Sequence, residues 1–207
     1  MTDLDWSRLY LQRREVARKF GGIWSLPLAK RYHIVLAELP APRSVLDLGA
    51  GDRSLQRRVS ALWPEAEYKS CDIDPSADHD FAGIDEVRGT YDLICVLEMI
   101  EHVPLDEAGR ILERCHGLLG DGGMIALTTP NVYYPPAFLR DATHRTPFCY
   151  DELGGLLQLC GFEVTHVYRL HQDALFKKLA KRYLFYPLYR LLGLDFAHGV
   201  MVVARKR

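Results

Sequence analysis

The stretch Ser44-Val-Leu-Asp-Leu-Gly-Ala-Gly-Asp52, followed one βαβ step later by Cys71-Asp-Ile-Asp74, constrains the fold more than any other feature of the chain. It predicts a buried strand, a glycine turn, a helix, and a second strand ending in acid. Such a unit holds a nucleoside: glycines let the backbone approach the ligand, and the second-strand acid accepts bonds from ribose hydroxyls. The turn reads Gly49-Ala-Gly51-Asp-Arg-Ser54, so the third glycine of a dinucleotide fingerprint is missing. Asp47, two residues before the first glycine, places a carboxylate where a pyrophosphate would be repelled. A ligand combining a nucleoside with a positive charge suits this turn better.

The same alternation continues along the chain. Residues 4–20 read as a helix stopped by Gly21-Gly22, and 27–39 as a second helix ending before Pro40. Strands are expected at 45–48, 67–73, 92–97, 124–129, 162–170 and 199–205, with helices at 54–63, 105–119 and 150–160. This order predicts a doubly wound α/β sheet, mostly parallel, with helices on both faces. Only 25 residues separate Asp72 from Leu97, so a third strand is abbreviated around Asp80–Val87. The link at about 171–198 is long for a connection between neighbouring strands, which makes this insertion a candidate functional element. Residues 1–40 are expected to form a helical cap and 41–207 a single domain. A chain of 207 residues, 48% apolar, sustains one sizeable core.

The net charge of −1 hides three zones: residues 1–40 sum to +3, 41–165 to −11 and 166–207 to +7. The acidic body suits a cationic ligand. The basic ends suit an anionic substrate or a membrane surface, or are simply solvated helix faces. A pI near 6.7 argues against a nucleic-acid partner. Five cysteines without a C-x-x-C pair fit reduced thiols in a cytoplasmic setting. The polar, acidic start Met1-Thr-Asp-Leu-Asp-Trp6 is unlike a signal peptide.

Five motifs then carry a resemblance. V-L-D-L-G-A-G at 45–51, D-I-D-P at 72–75, Y-D-L-I-C-V-L-E-M-I-E-H-V at 91–103, L-L-G-D-G-G at 118–123 and T-T-P-N at 128–131 resemble, in order and spacing, the motifs of class I S-adenosylmethionine (SAM)-dependent methyltransferases. The resemblance implies a seven-stranded sheet whose last strand runs antiparallel. It implies SAM as cofactor, whose ammonium and sulfonium supply the positive charge that Asp47 invites. Asp47, Gly49 and Gly51 would hold its amino-acid end. Asp72, with Ile73 beside it, would bind the ribose; Asp74 is the alternative. Leu97 and Glu98 would line the pocket. Asp80 and Phe81 sit where the family places adenine contacts, or belong to a plain solvent loop.

Glu98-Met-Ile-Glu101-His102 begins at the carboxyl end of a strand, where open α/β sheets bind ligands. In a helical turn, spacings of three and four residues put Glu98, Glu101 and His102 on one face. That set suits a divalent cation such as Mg²⁺, with His144 as a fourth ligand from the loop after T-T-P-N. E-x-x-E-H with a distant histidine resembles the metal site of small-RNA 2′-O-methyltransferases, and E-x-x-E-H also occurs in O-methyltransferases of ubiquinone biosynthesis. Without a metal, His144 or His102 serves as general base. Alternatively Glu98 lines the cofactor pocket, Glu101 opens a helix and the histidines only pack. Tyr133, Tyr134, Pro135 and Pro136 wall the acceptor site or pack within their loop.

In the insertion, Phe176, Leu179, Tyr183 and Tyr186 follow helical spacing, with Lys177, Lys178, Lys181 and Arg182 largely off the stripe. Such an element lies on an anionic membrane or over a lipid-linked substrate, or packs its aromatic face against the sheet edge. The expected function is O-methylation of a hydroxyl on a small molecule, sugar or glycolipid. One rival is a nucleotide-dependent oxidoreductase on a similar sheet. The other is a SAM-binding, membrane-recruited interaction protein without turnover.

Overall fold

The computed structural model describes residues 5–172 and 180–207. Its helices are α1 (Trp6–Phe20), α2 (Tyr32–Leu36), α3 (Ser54–Leu62), α4 (Leu105–Leu118), α5 (Pro135–Leu139), α6 (Tyr150–Leu159) and α7 (Tyr186–Leu191). Its strands are β1 (Leu28–Ala29), β2 (Ser44–Leu48), β3 (Glu67–Cys71), β4 (Tyr91–Leu97), β5 (Leu119–Pro130), β6 (Phe162–Leu170) and β7 (Gly199–Lys206). They form one sheet in the order β1-β6-β7-β5-β4-β2-β3. β7 is antiparallel to both β5 and β6, and the remaining pairs are parallel.

Strand periodicity explains why both faces need cover. Successive side chains point to opposite sides, so β2 sends Leu46 and Leu48 to one core and Val45 to the other. β4 divides likewise: Ile94 and Val96 join the core that also holds residues of α4 and α6, while Leu93 and Cys95 join the one that holds residues of α2 and α3. Helix α1 joins the first face by close approach to α6. A Cβ at Gly155 would stand 2.8 Å from the backbone nitrogen of Arg13, and Arg13 pairs with Asp151 at 2.7 Å. Tyr150 adds a hydroxyl bond to the carbonyl of Gly21.

Three local expectations change. The helix expected at 27–39 is instead the short strand β1 followed by α2. Here the backbone finds sheet partners at the edge: Arg169 donates to the carbonyl of Pro27 and His171 to that of Ala29. The abbreviated strand around Asp80–Val87 shrinks to one parallel bridge, Cys71–Phe81, and β1 completes the count of seven. The reason is length: Asp72 and Asp74 spend the connection on turns, each accepting the backbone N–H two residues on. The stretch 130–149, for which no element is expected between the strand at 124–129 and the helix at 150–160, contains α5.

The described part of the insertion is a π-type turn, Ala180–Leu184, followed by α7. Phe176, Lys177, Lys178 and Leu179 lie outside the described residues. No helix among the described residues is long and apolar enough to cross a membrane.

Candidate active site

The glycine turn is built as its residues require. Gly49 and Gly51 have positive φ of 75° and 48°, which only glycine adopts without steric cost. At Gly49 the space is also closed, since a Cβ would stand 2.5 Å from Cγ of Met99. Asp72 follows β3 and ties the turn down: one carboxylate oxygen accepts the Gly51 N–H at 2.7 Å, the other the Asp74 N–H at 2.9 Å. An ionised carboxylate has about four lone-pair sites, so acceptor capacity remains for ribose hydroxyls. We expect Asp72→Ala to weaken S-adenosylhomocysteine binding by ~1.5–3 kcal/mol, the usual worth of hydrogen bonds to a charged group. Calorimetry on the folded variant checks this, and unchanged affinity would remove Asp72 from the ribose role.

Asp47 lies inside β2, buried, and its carboxylate accepts the Tyr68 hydroxyl at 2.6 Å. Burial pushes its pKa up to about 6, with the nearby Asp72 and Asp52 adding to the rise and the Tyr68 bond opposing it. A cation beside the turn would lower it again. Ile73 is exposed at the tip of the following turn. Asp80 is engaged by the β3 edge: it accepts Ser70 N–H, Ser70 hydroxyl and Lys69 Nζ at 2.9, 3.0 and 3.2 Å. Phe81 packs partly buried against the core beside it.

A cleft of about 710 Å³ opens at the ends of β4 and β5, where Leu97, Glu98 and Thr128 line it. Glu98 stands in a left-handed backbone conformation, φ 51°, held by its N–H donating to Thr128. That conformation is rare for a residue other than glycine, asparagine or aspartate and clusters at functional sites. Crowding by the surrounding protein raises the Glu98 carboxyl, and Thr128 and His144 pull it back.

Glu98 leaves the strand in this irregular conformation, and only Ile100–His102 forms a short 3₁₀ turn. The shared helical face expected for Glu98, Glu101 and His102 therefore does not form. Glu101, His102 and His144 do converge: one ligand atom from each lies within 4.8 Å of the others, and Glu98 is outside this group. The backbone explains how residues so far apart in sequence meet. Arg145 and Thr146 N–H groups both donate to the carbonyl of Glu101, at 2.8 and 3.0 Å, and the Thr146 hydroxyl donates to that of Val103.

Glu101 is 0% exposed, and among the described residues neither carboxylate oxygen has a well-formed hydrogen bond, although the Thr129 side chain and its own backbone lie close enough to favour its charged form. Burial, then the charge of Glu98, pushes its pKa up to about 8. The histidine tautomers follow from their partners. His144 Nδ1 faces the carbonyl of Phe138 at 2.7 Å, so it carries the proton. The Thr143 hydroxyl gives its one hydrogen to Asp141 at 2.7 Å and so accepts from His102 Nδ1 at 2.9 Å. Both rings thus keep an Nε2 lone pair in their neutral forms.

The T-T-P-N motif ends in a buried network that sequence reasoning missed. Asn131 donates to Asp195 and to the carbonyl of Ala197, both at 2.9 Å, and Arg169 donates to the other Asp195 oxygen at 2.9 Å. It anchors the return of the insertion, so that His198 and Gly199 reach the cleft. Tyr134 and Pro136 also line the cleft, whereas Tyr133 packs against the core and edge-on to Trp24.

A family model described as a methyltransferase domain matches residues 24–167. The chain belongs to this methyltransferase-domain family. The resemblance drawn from the five motifs is borne out, and SAM is the cofactor the family implies. Among solved structures, a SAM-dependent methyltransferase from Archaeoglobus fulgidus aligns with a TM-score of 0.65 at 16% identity, covering 98% of this chain and 100% of that one. One from Mesorhizobium loti aligns at 0.59 and 18% identity, covering 86% and 98%. One from Methanosarcina mazei aligns at 0.59 and 15% identity, covering 86% and 99%. At such identities these structures establish the methyltransferase fold. No match is found among curated proteins.

Proposed function

We propose that this methyltransferase acts on oxygen, transferring the methyl group of SAM to a hydroxyl of a small molecule, sugar or lipid-linked acceptor. The observation that supports the reading is the group Glu101, His102 and His144, beside the cleft-lining Glu98. SAM carries its methyl on a sulfonium, already activated for displacement. The protein must align the acceptor, exclude water and receive the hydroxyl proton. His144 suits the last role, because the Phe138 carbonyl holds its Nδ1 hydrogen and leaves Nε2 as the base.

The same three side chains fit a divalent cation. The buried Glu101 carboxylate and one ring nitrogen from each histidine would form its donor set. Two imidazoles with one carboxylate favour Mn²⁺ or Zn²⁺ over Mg²⁺, which prefers oxygen donors. Bound there, such an ion would lower the pKa of the acceptor hydroxyl. Release of S-adenosylhomocysteine across a panel of hydroxyl compounds, with the methyl position read by NMR, tests the reading. Methylation only at nitrogen or carbon would sink it.

Peripheral membrane contact is a further part of the reading, supported by the exposure of Tyr183, Leu184, Leu188, Leu191 and Leu192. Exposed large apolar side chains gathered within ten residues of the chain are the kind of surface that interaction sites use. We expect co-sedimentation with anionic vesicles, release by salt, and loss in a Leu188→Glu/Leu191→Glu variant. Equal recovery of both proteins in the supernatant would return this face to ordinary surface.

A further inference from the structure

The cleft that opens beside Glu98 is cationic. Lys30 and Arg31 reach it from the segment between β1 and α2, Arg58 from α3, and Arg140 from the end of α5. Three separate chain segments thus bring four formal positive charges to one cavity, and among the described residues Glu98 is the carboxylate that lines it. Arg58 and Arg140 are drawn from the zone 41–165, whose net charge is −11, so general basicity of that region does not explain their convergence. Among the described residues, none of the four makes a salt bridge, although seven other basic side chains do so with Asp or Glu. The field is felt inside the cleft: burial, then Arg58 and Arg31, pull the lining His33 below its ordinary pKa.

The carboxylate of SAM would satisfy one or two of these cations. Four around about 710 Å³ leave charge for a second anion. We propose that the acceptor carries an anionic group, of the phosphate class, seated by Lys30 and Arg140, with Arg31 and Arg58 left to the carboxylate of SAM. This inference rests on the methyltransferase reading and names the chemistry of the acceptor. Arginine offers paired N–H donors matched to phosphate oxygens, and lysine adds a point charge. Arg140 comes from the same loop as His144, so an anion held there ties the acceptor to the segment that carries the base.

The test begins with the protein saturated in S-adenosylhomocysteine, so that the cations serving the cofactor carboxylate are already engaged. Inorganic diphosphate and glycerol phosphate are titrated by calorimetry against this complex and against a Lys30→Gln/Arg140→Gln variant. A parallel arm measures co-sedimentation of both proteins with vesicles containing phosphatidic acid. Saturable binding of the soluble anions, weakened roughly tenfold or more in the variant with unchanged S-adenosylhomocysteine affinity, supports the proposal and assigns a free phosphate. Vesicle binding that the variant loses, without soluble-anion binding, supports it and assigns a lipid phosphate.

Soluble-anion binding equal in wild type and variant would overturn the proposal. So would no soluble-anion binding together with equal sedimentation. Turnover separates this inference from the hydroxyl reading. Methylation of phosphorylated amines but not alcohols would remove the hydroxyl and keep the anion site. Equal turnover of neutral and phosphorylated alcohols would do the reverse.

Discussion

Glu101→Gln should make the ligand-free protein more stable than wild type at pH 8, and this advantage should vanish near pH 4. Glu101 is fully buried, among the described residues neither oxygen has a well-formed hydrogen bond, and burial outweighs the opposing Thr129 side chain to push its pKa up to about 8 from an ordinary 4.5. Between those values the folded chain keeps a proton that the unfolded chain releases. Stability therefore falls as pH rises through the window, and the full penalty is present above about 8. Below 4.5 both states are protonated and the side chain contributes no pH dependence. Each unit of separation is worth about 1.4 kcal/mol, so the difference between the two pH values is on the order of a few kcal/mol. Asp47, raised to about 6, slopes the same way. It is present in both proteins, so subtracting their curves isolates Glu101.

The amide of glutamine brings donors of its own, so the informative quantity is the change with pH rather than the absolute shift. Denaturant unfolding at pH 4 and 8 measures it. A divalent cation bound at the group should restore wild type at pH 8 far more than Glu101→Gln. A pH-independent difference between the two proteins would show that Glu101 is not a strained buried carboxylate.

His144→Ala should lower turnover by about 10²- to 10⁴-fold, the usual contribution of a positioned base, while S-adenosylhomocysteine affinity stays unchanged. The ring stands on the loop after β5, oriented by the Phe138 carbonyl and packed edge-on against His102 with centroids 4.8 Å apart. None of these contacts involves the glycine turn or Asp72. Excess chelator divides the two mechanisms. If a metal activates the hydroxyl, chelation abolishes turnover, and His102→Ala and Glu101→Ala each lose metal affinity. Full activity in chelator leaves only the histidine base. Full activity of His144→Ala would remove this residue from both.

Local sequence determined the parts of the protein whose physics is local. The glycine turn, Asp47 and Asp72 were legible because a positive φ admits few residue types and a strand end fixes where an acid stands. Strands β4 and β7 were legible from continuous apolar runs at 93–97 and 200–204, because a sheet covered on both faces exposes neither side. Helical spacing, by contrast, misled at Glu98, since the chain enters a left-handed conformation there and only a three-residue 3₁₀ turn precedes the α-helix that begins at Leu105.

Tertiary structure alone decided which partners meet. Nothing near Leu28 announces that it pairs with Arg169, or that Asp195 closes on Asn131 across the sheet end. His144 reaches Glu101 through two backbone bonds that any residue types would make, so no side-chain pattern encodes the encounter. Lys30, Arg31, Arg58 and Arg140 carry no motif, and each alone reads as a solvated charge. Their common cleft arises from three chain segments folding to the same end of the sheet. Chemistry that depends on the backbone of a few consecutive residues is written in those residues; chemistry that depends on distant side chains sharing a space is written only in the packing.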